Sequence, residues 1–144
     1  MATRPVRGAA QQVAADRVPA VVRRAQTTRF PAAVKTAWKL KSDRSYEAEF
    51  TLKGVGVAVK YDSTGMWLET ETDITRQQVP PRLLDSLIRQ FPGYRIIETQ
   101  HLEPRSGPPL FEIHLQNARE VVKAQLDSAG RVISRSSKPV PRGQ

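Results

Sequence analysis

Apolar residues recur along this chain at two periods, one after the other, and the succession happens twice. Val18, Val21, Val22 and Ala25 keep helical spacing and end at Phe30; Val79, Leu83, Leu84, Leu87, Ile88 and Phe91 do the same later. Each stretch predicts a short amphipathic helix. Pro19 and Pro80 suit a first helical turn, where no intrahelical donor is lost, and Pro31 and Pro92 prevent continuation past the last apolar residue. The period then falls to two. Tyr46, Ala48, Phe50 and Leu52 alternate with Glu47, Glu49, Thr51 and Lys53, and Phe111, Ile113 and Leu115 alternate with Glu112, His114 and Gln116. These are strands with one buried face. Val55 to Tyr61 continues the pattern after a turn at Lys53-Gly54, and Asp62-Ser-Thr-Gly65 leads into Met66 to Asp73. Asp127-Ser-Ala-Gly130 repeats that turn chemistry. Residues 33–41 and 94–103 supply a first strand in each half, with irregular alternation.

The halves match in residues as well as in pattern. Val18-Pro19 to Phe30-Pro31 returns 61 residues later as Val79-Pro80 to Phe91-Pro92. Tyr46-Glu47, Phe50, Val57, Asp62 and Gly65 return at a shift of 65 as Phe111-Glu112, Leu115, Val122, Asp127 and Gly130. A match this long predicts duplication. The expected fold class is α+β: two tandem repeats of one helix plus a four-stranded antiparallel sheet, each helix covering one sheet face. The expected layout is a flexible tail over 1–17, repeat 1 over 18–73, a linker over 74–78, repeat 2 over 79–133 and a flexible basic tail over 134–144.

If each helix takes one sheet face, the other is left for solvent or a partner. Symmetric pairing about Lys53-Gly54 and Ser63-Thr64 predicts the rows Glu47–Lys60–Trp67, Glu49–Ala58–Glu69 and Thr51–Gly56–Glu71. Ala58 and Gly56 would floor a shallow acidic trough walled by Glu49, Glu69 and Glu71, with Lys60 between a carboxylate and an indole. The second half gives Glu112–Gln125–Val132, His114–Lys123–Ser134 and Gln116–Val121–Ser136, a trough already filled. This asymmetry singles out Glu47, Glu49, Lys60, Trp67, Glu69 and Glu71, with His114 and Lys123, as partner-binding candidates. A surface tryptophan framed by charges makes an interface anchor. The same alternation also describes an ordinary solvated sheet face.

Charge changes this picture little. The formal net charge is +9, but residues 1–17 contribute +2 and residues 134–144 contribute +3, leaving +4 in a mixed pattern between them. A nucleic-acid partner is therefore not expected; aromatic stacking positions interleaved with basic residues are missing as well. The chain has no cysteine, so thiolate chemistry and disulfides are excluded. His101 and His114 are the two imidazoles, and His114 beside Lys123 reads as a surface residue rather than a ligand. No glycine-rich phosphate loop, nucleophile elbow or histidine metal motif occurs, so no catalytic, cofactor or metal residue is assigned and no enzyme is expected. No apolar run nears the roughly 20 residues that cross a bilayer.

The series Val18-Pro19, Phe30-Pro31, Tyr46-Glu-Ala-Glu-Phe50, Tyr61-Asp62, Gly65-Met-Trp-Leu-Glu-Thr70, Val79-Pro80, Phe91-Pro-Gly-Tyr94 and Phe111-Glu112 resembles the PepSY-like, beta-lactamase-inhibitor-like family over about residues 18–135. The resemblance implies a fold similar to beta-lactamase inhibitory protein and a periplasmic or secreted bacterial protein, often made behind a signal peptide. It carries no catalytic residue. The expectation is a non-enzymatic, extracytoplasmic module that binds a protein or peptide through the open sheet face, in the manner of an inhibitor. The alternative is a small-ligand or cation sensor using the acidic trough. Neither the partner nor the oligomeric state is specified.

Overall fold

The computed structural model describes residues 10–141. The elements run β1 (Gln11–Val13), α1 (Ala20–Arg29), β2 (Val34–Leu40), β3 (Tyr46–Leu52), β4 (Val55–Tyr61), β5 (Trp67–Asp73), α2 (Pro81–Gln90), β6 (Arg95–Pro104), β7 (Leu110–Gln116), β8 (Glu120–Leu126) and β9 (Val132–Pro139), with a short 3-10 turn ahead of each α-helix. The strands form one nine-stranded antiparallel sheet in chain order. This corrects the expected fold class of two repeats, each with its own four-stranded sheet. Separate four-stranded sheets would each leave two strand edges with unpaired backbone groups, which favours a continuous order.

The ends of the chain differ from the expected tails. Gln11–Val13 pairs with β2, setting Val13 opposite Trp38, and β9 runs to Pro139, so Arg135 and Lys138 lie in a strand. Residues 1–9 and 142–144, with Arg4, Arg7 and Arg142, lie outside the described residues.

Two compact units divide the chain, Met1–Thr72 and Asp73–Gln144. In unit 1, α1 lowers Val22, with Val18 just ahead of it, onto Trp38, Ala48, Phe50, Val57, Val59 and Tyr61. Gln26 is buried in the same face and accepts a 2.6 Å hydrogen bond from the Tyr61 hydroxyl. Phe30 closes the helix against Phe50, ring centroids 5.0 Å apart. In unit 2, α2 inserts Leu83 and Leu87, flanked by Val79 and Phe91, among Ile113, Leu115, Val122, Ala124 and Leu126. Pro19 and Pro80 precede the first helical turns in extended backbone, ψ 138° and 136°, and Pro81 takes the first helical position of α2.

The hairpin turns are local and follow their sequences. Lys53 and Gly54 both have positive φ, 50° and 81°, which gives the two-residue turn whose twist suits paired strands. At Asp62 the carboxylate accepts the backbone N–H groups of Thr64 and Met66, and Asp127 does the same for Ala129 and Arg131.

Candidate functional site

Alternation along β3 and β4 sends Glu47, Glu49, Lys60 and Ala58 to the face opposite α1. Pairing of these strands is as the turn predicts, Glu47 opposite Lys60 and Glu49 opposite Ala58. β5 is not. Its register shifts between Lys60 and Tyr61: Trp67 lies opposite Tyr61, and Glu69 lies opposite Lys60. Leu68 is the extra residue of a bulge, and from there each side chain changes row. The rows are Glu47–Lys60–Glu69 and Glu49–Ala58–Glu71.

Trp67 therefore parts from the glutamates, and the expected Lys60–indole contact does not form. The indole lies on the α1 side, half-buried against the core of unit 1. Its N–H donates to the Thr70 hydroxyl at 2.8 Å, and the Arg29 guanidinium of α1 sits 4.5 Å from its ring centroid. Trp67 belongs to the helix face, not to the open one.

β2 supplies what the sequence reading missed. Lys39 pairs across from Glu47 and Ala37 from Glu49. Lys39 Nζ lies 3.1 Å from Glu49, Lys41 3.8 Å from Glu47 and Lys60 3.6 Å from Glu69. In place of an acidic trough, the face carries columns of alternating sign: Lys39 on β2 with Lys41 just past its end, glutamates on β3, Lys60 on β4 and glutamates on β5. The available signal was the alternation of Lys39 and Lys41 with Trp38 and Leu40, in a segment whose start is disturbed by a register shift between Val34 and Ala37.

Glu47 stands at the centre of this array with a side chain only 13% exposed. Burial raises its pKa above the ordinary glutamate value; Lys41 opposes the shift and the Glu49 charge reinforces it. The group is thus partly desolvated on a face that α1 does not cover.

In unit 2 the pairs Glu112–Gln125, His114–Lys123 and Gln116–Val121 form as expected. β9 then slips as β5 does, bringing Ser134 to Gln125 and Ser136 to Lys123, which corrects the rows that placed Val132 and Ser134 there. β6 adds Glu98 opposite His114 and Gln100 opposite Glu112. The His114 ring nitrogens lie 3.4 Å from Glu112 and 4.0 Å from Glu98. The Gln125 amide donates to Glu112 at 3.1 Å, and that of Gln100 to Glu98 at 2.6 Å and Asp73 at 3.1 Å. Glu112 and Gln100 are buried within this amide-rich network, while Lys123 is exposed. His101 stands apart, edge-on to Phe111 at 5.5 Å. Among the described residues, no three His, Cys, Asp or Glu side chains are grouped to hold a metal ion.

No family model and no curated protein matches the chain. Solved structures do match in fold. A DUF2874 family protein from Bacteroides uniformis has a TM-score of 0.75 at 20% identity, covering 83% of this chain and 88% of that one. A candidate periplasmic protein from Bacteroides eggerthii gives 0.76 at 18% identity over 83% and 88%. A BLIP-like protein from Bacteroides fragilis gives 0.67 at 22% identity over 88% and 89%. This chain is thus similar in fold to a BLIP-like protein and to a candidate periplasmic protein. No helix among the described residues is long and apolar enough to cross a membrane.

Proposed function

We propose that this protein is a non-enzymatic binding module that engages a protein or peptide through the open sheet face of unit 1. The observation that carries the reading is the charge array of Lys39, Glu47, Glu49, Lys60 and Glu69, held on four paired strands opposite α1, with Lys41 added just past the end of β2. Side chains fixed on strands lose little freedom on association, and alternating columns of charge fix the register of a complementary partner. The desolvated Glu47 at the centre matches the pattern of an interface whose middle is drier than its rim. PepSY-like kinship, a periplasmic or secreted setting and an inhibitory role extend this reading; the motif series and the shared fold support it, and fold likeness by itself transfers no target. The alternative, a small-ligand or cation sensor using the acidic trough, has less support, because Glu49 and Glu69 already face lysines.

The test is capture of partners from the source organism's envelope fraction by the wild-type chain and by a Lys39→Glu/Lys60→Glu double variant of matched melting temperature. The expected result is a partner held by the wild type and lost by the variant, with affinity reduced about 100-fold and weakened by salt. Equal capture by both proteins overturns the proposal.

A further inference from the structure

Unit 1 has a second surface, on the opposite side of its sheet. A groove of about 640 Å³ runs between α1 and the β4–β5 hairpin, lined by Val21, Arg24, Ala25, Thr28, Arg29 and Trp67, with Tyr61 and Gly65 at its floor and end. Val21, Arg24, Ala25 and Thr28 follow helical spacing and so form one stripe along α1. The lining is apolar along its middle and cationic at its edge. Arg24 and Arg29 are exposed, and neither makes an ion pair with an acid among the described residues. Arg29 is instead laid on the Trp67 ring, which fixes its position while leaving its N–H donors for another acceptor.

The corresponding place in unit 2 shows what a filled seam looks like. There Ser86 donates to the Gly130 carbonyl at 2.8 Å, and Arg82 reaches the Ser128 carbonyl at 3.0 Å, so α2 is bonded directly to the β8–β9 turn. At the matching positions α1 has Ala25 and Val21, which cannot make those bonds. The β4–β5 turn touches α1 at Val21 instead: a Cβ on Gly65 would lie 3.0 Å from the Val21 carbonyl oxygen. Beyond that contact the helix and the hairpin part, and the groove begins.

We infer that this groove is a docking site for an acidic peptide segment of a partner protein, its carboxylates on Arg24 and Arg29 and an apolar side chain over Val21, Ala25 and Trp67. The choice of occupant rests on charge and shape. Two unpaired guanidiniums match carboxylates in bidentate geometry. A small ligand is largely enclosed by its pocket, whereas this groove lies open along α1. The stripe from Val21 to Thr28 spans about 10 Å, the length of about three extended residues. This site is independent of the charge array on the other sheet face.

The experiment uses the full chain and a set of capped tetrapeptides: one with three glutamates and one leucine, its glutamine counterpart and its lysine counterpart, with inorganic phosphate and a nucleoside monophosphate alongside. Binding is read from the Trp67 indole and the Arg29 Nε–H resonances. The acidic peptide is expected to shift both saturably, and the neutral and basic peptides not. Arg24→Glu, a change at an exposed side chain that leaves folding intact, is expected to weaken binding about tenfold or more, and Lys39→Glu is expected to leave it unchanged. Arg29→Lys keeps the charge and loses the planar stack, so a partial loss is expected. No saturable shift with the acidic peptide, equal shifts with the lysine peptide, or response to phosphate or nucleotide alone would each overturn the proposal.

Discussion

The two units each lay a ten-residue helix on a sheet face, and they anchor it with different chemistry. α2 buries Leu83 and Leu87 and adds polar bonds from Ser86 and Arg82 to the neighbouring turn. α1 buries Val22 and Gln26, and the amide is held by Tyr61. A buried leucine contributes about 1.5–3 kcal/mol by area, whereas a neutral hydrogen bond contributes about 1 kcal/mol net and costs more when half of it is removed. The aliphatic seam is therefore the firmer, and the polar seam the more exacting. The lighter α1 leaves the Arg24–Arg29–Trp67 groove beside it. The open faces differ in parallel: paired lysines and glutamates in unit 1, an amide and imidazole network in unit 2.

The largest effect should come from the aliphatic seam. Leu87→Ala is expected to cost about 3–5 kcal/mol, and Val22→Ala about 2 kcal/mol, in denaturant unfolding. Equal costs at the two positions would remove the distinction between the helices.

The polar seam gives the next effect, and it has a signature in pH. Tyr61→Phe leaves the Gln26 carbonyl oxygen without its donor, beside an amide nitrogen that already lacks a partner, and should cost about 1–3 kcal/mol. Adding Gln26→Leu should recover much of the loss, because both polar groups are then gone. Burial, opposed by Arg29, pushes the Tyr61 hydroxyl up to about 12. A folded pKa above the unfolded value of about 10 means stability fully present below pH 10 and lost as pH rises through 12. Melting temperature should fall across that window in the wild type and fall less in Tyr61→Phe; identical profiles would show that Tyr61 titrates as a free phenol.

The smallest effect belongs to the open face. Glu47 is raised mainly by burial, so its charged form weighs against folding at neutral pH. The sign follows: its contribution is most favourable below the unfolded pKa and is lost as pH rises through the folded one. Glu47→Gln is expected to raise stability by less than about 1 kcal/mol at pH 7, with the difference vanishing below about pH 4.5. Destabilisation by this substitution would mean that the Lys41 contact outweighs desolvation.

The sequence by itself determined the elements. Helical spacing from Val18 and Val79, the stops at Pro31 and Pro92, the alternation through Tyr46–Leu52 and the Asp–Gly turns are signals within a few residues of one another, and both helices and the seven strands from β2 to β8 sit where those signals place them, whereas β9 runs on into the expected tail. The β3–β4 pairing was legible too, because its register follows from the Lys53-Gly54 turn, and the β7–β8 pairing followed from it through the match between the halves. Only the tertiary structure decided the rest. Gln11–Val13 has no pattern of its own and becomes a strand by pairing with β2 across the intervening α1. Most consequential for the site is the single extra residue at Leu68. The side-chain period of a strand is two, so one bulge carries Trp67 to the helix side and brings Glu69 to Lys60. No local pattern at Trp67 records that shift, since an indole is at home both over a helix and beside a lysine.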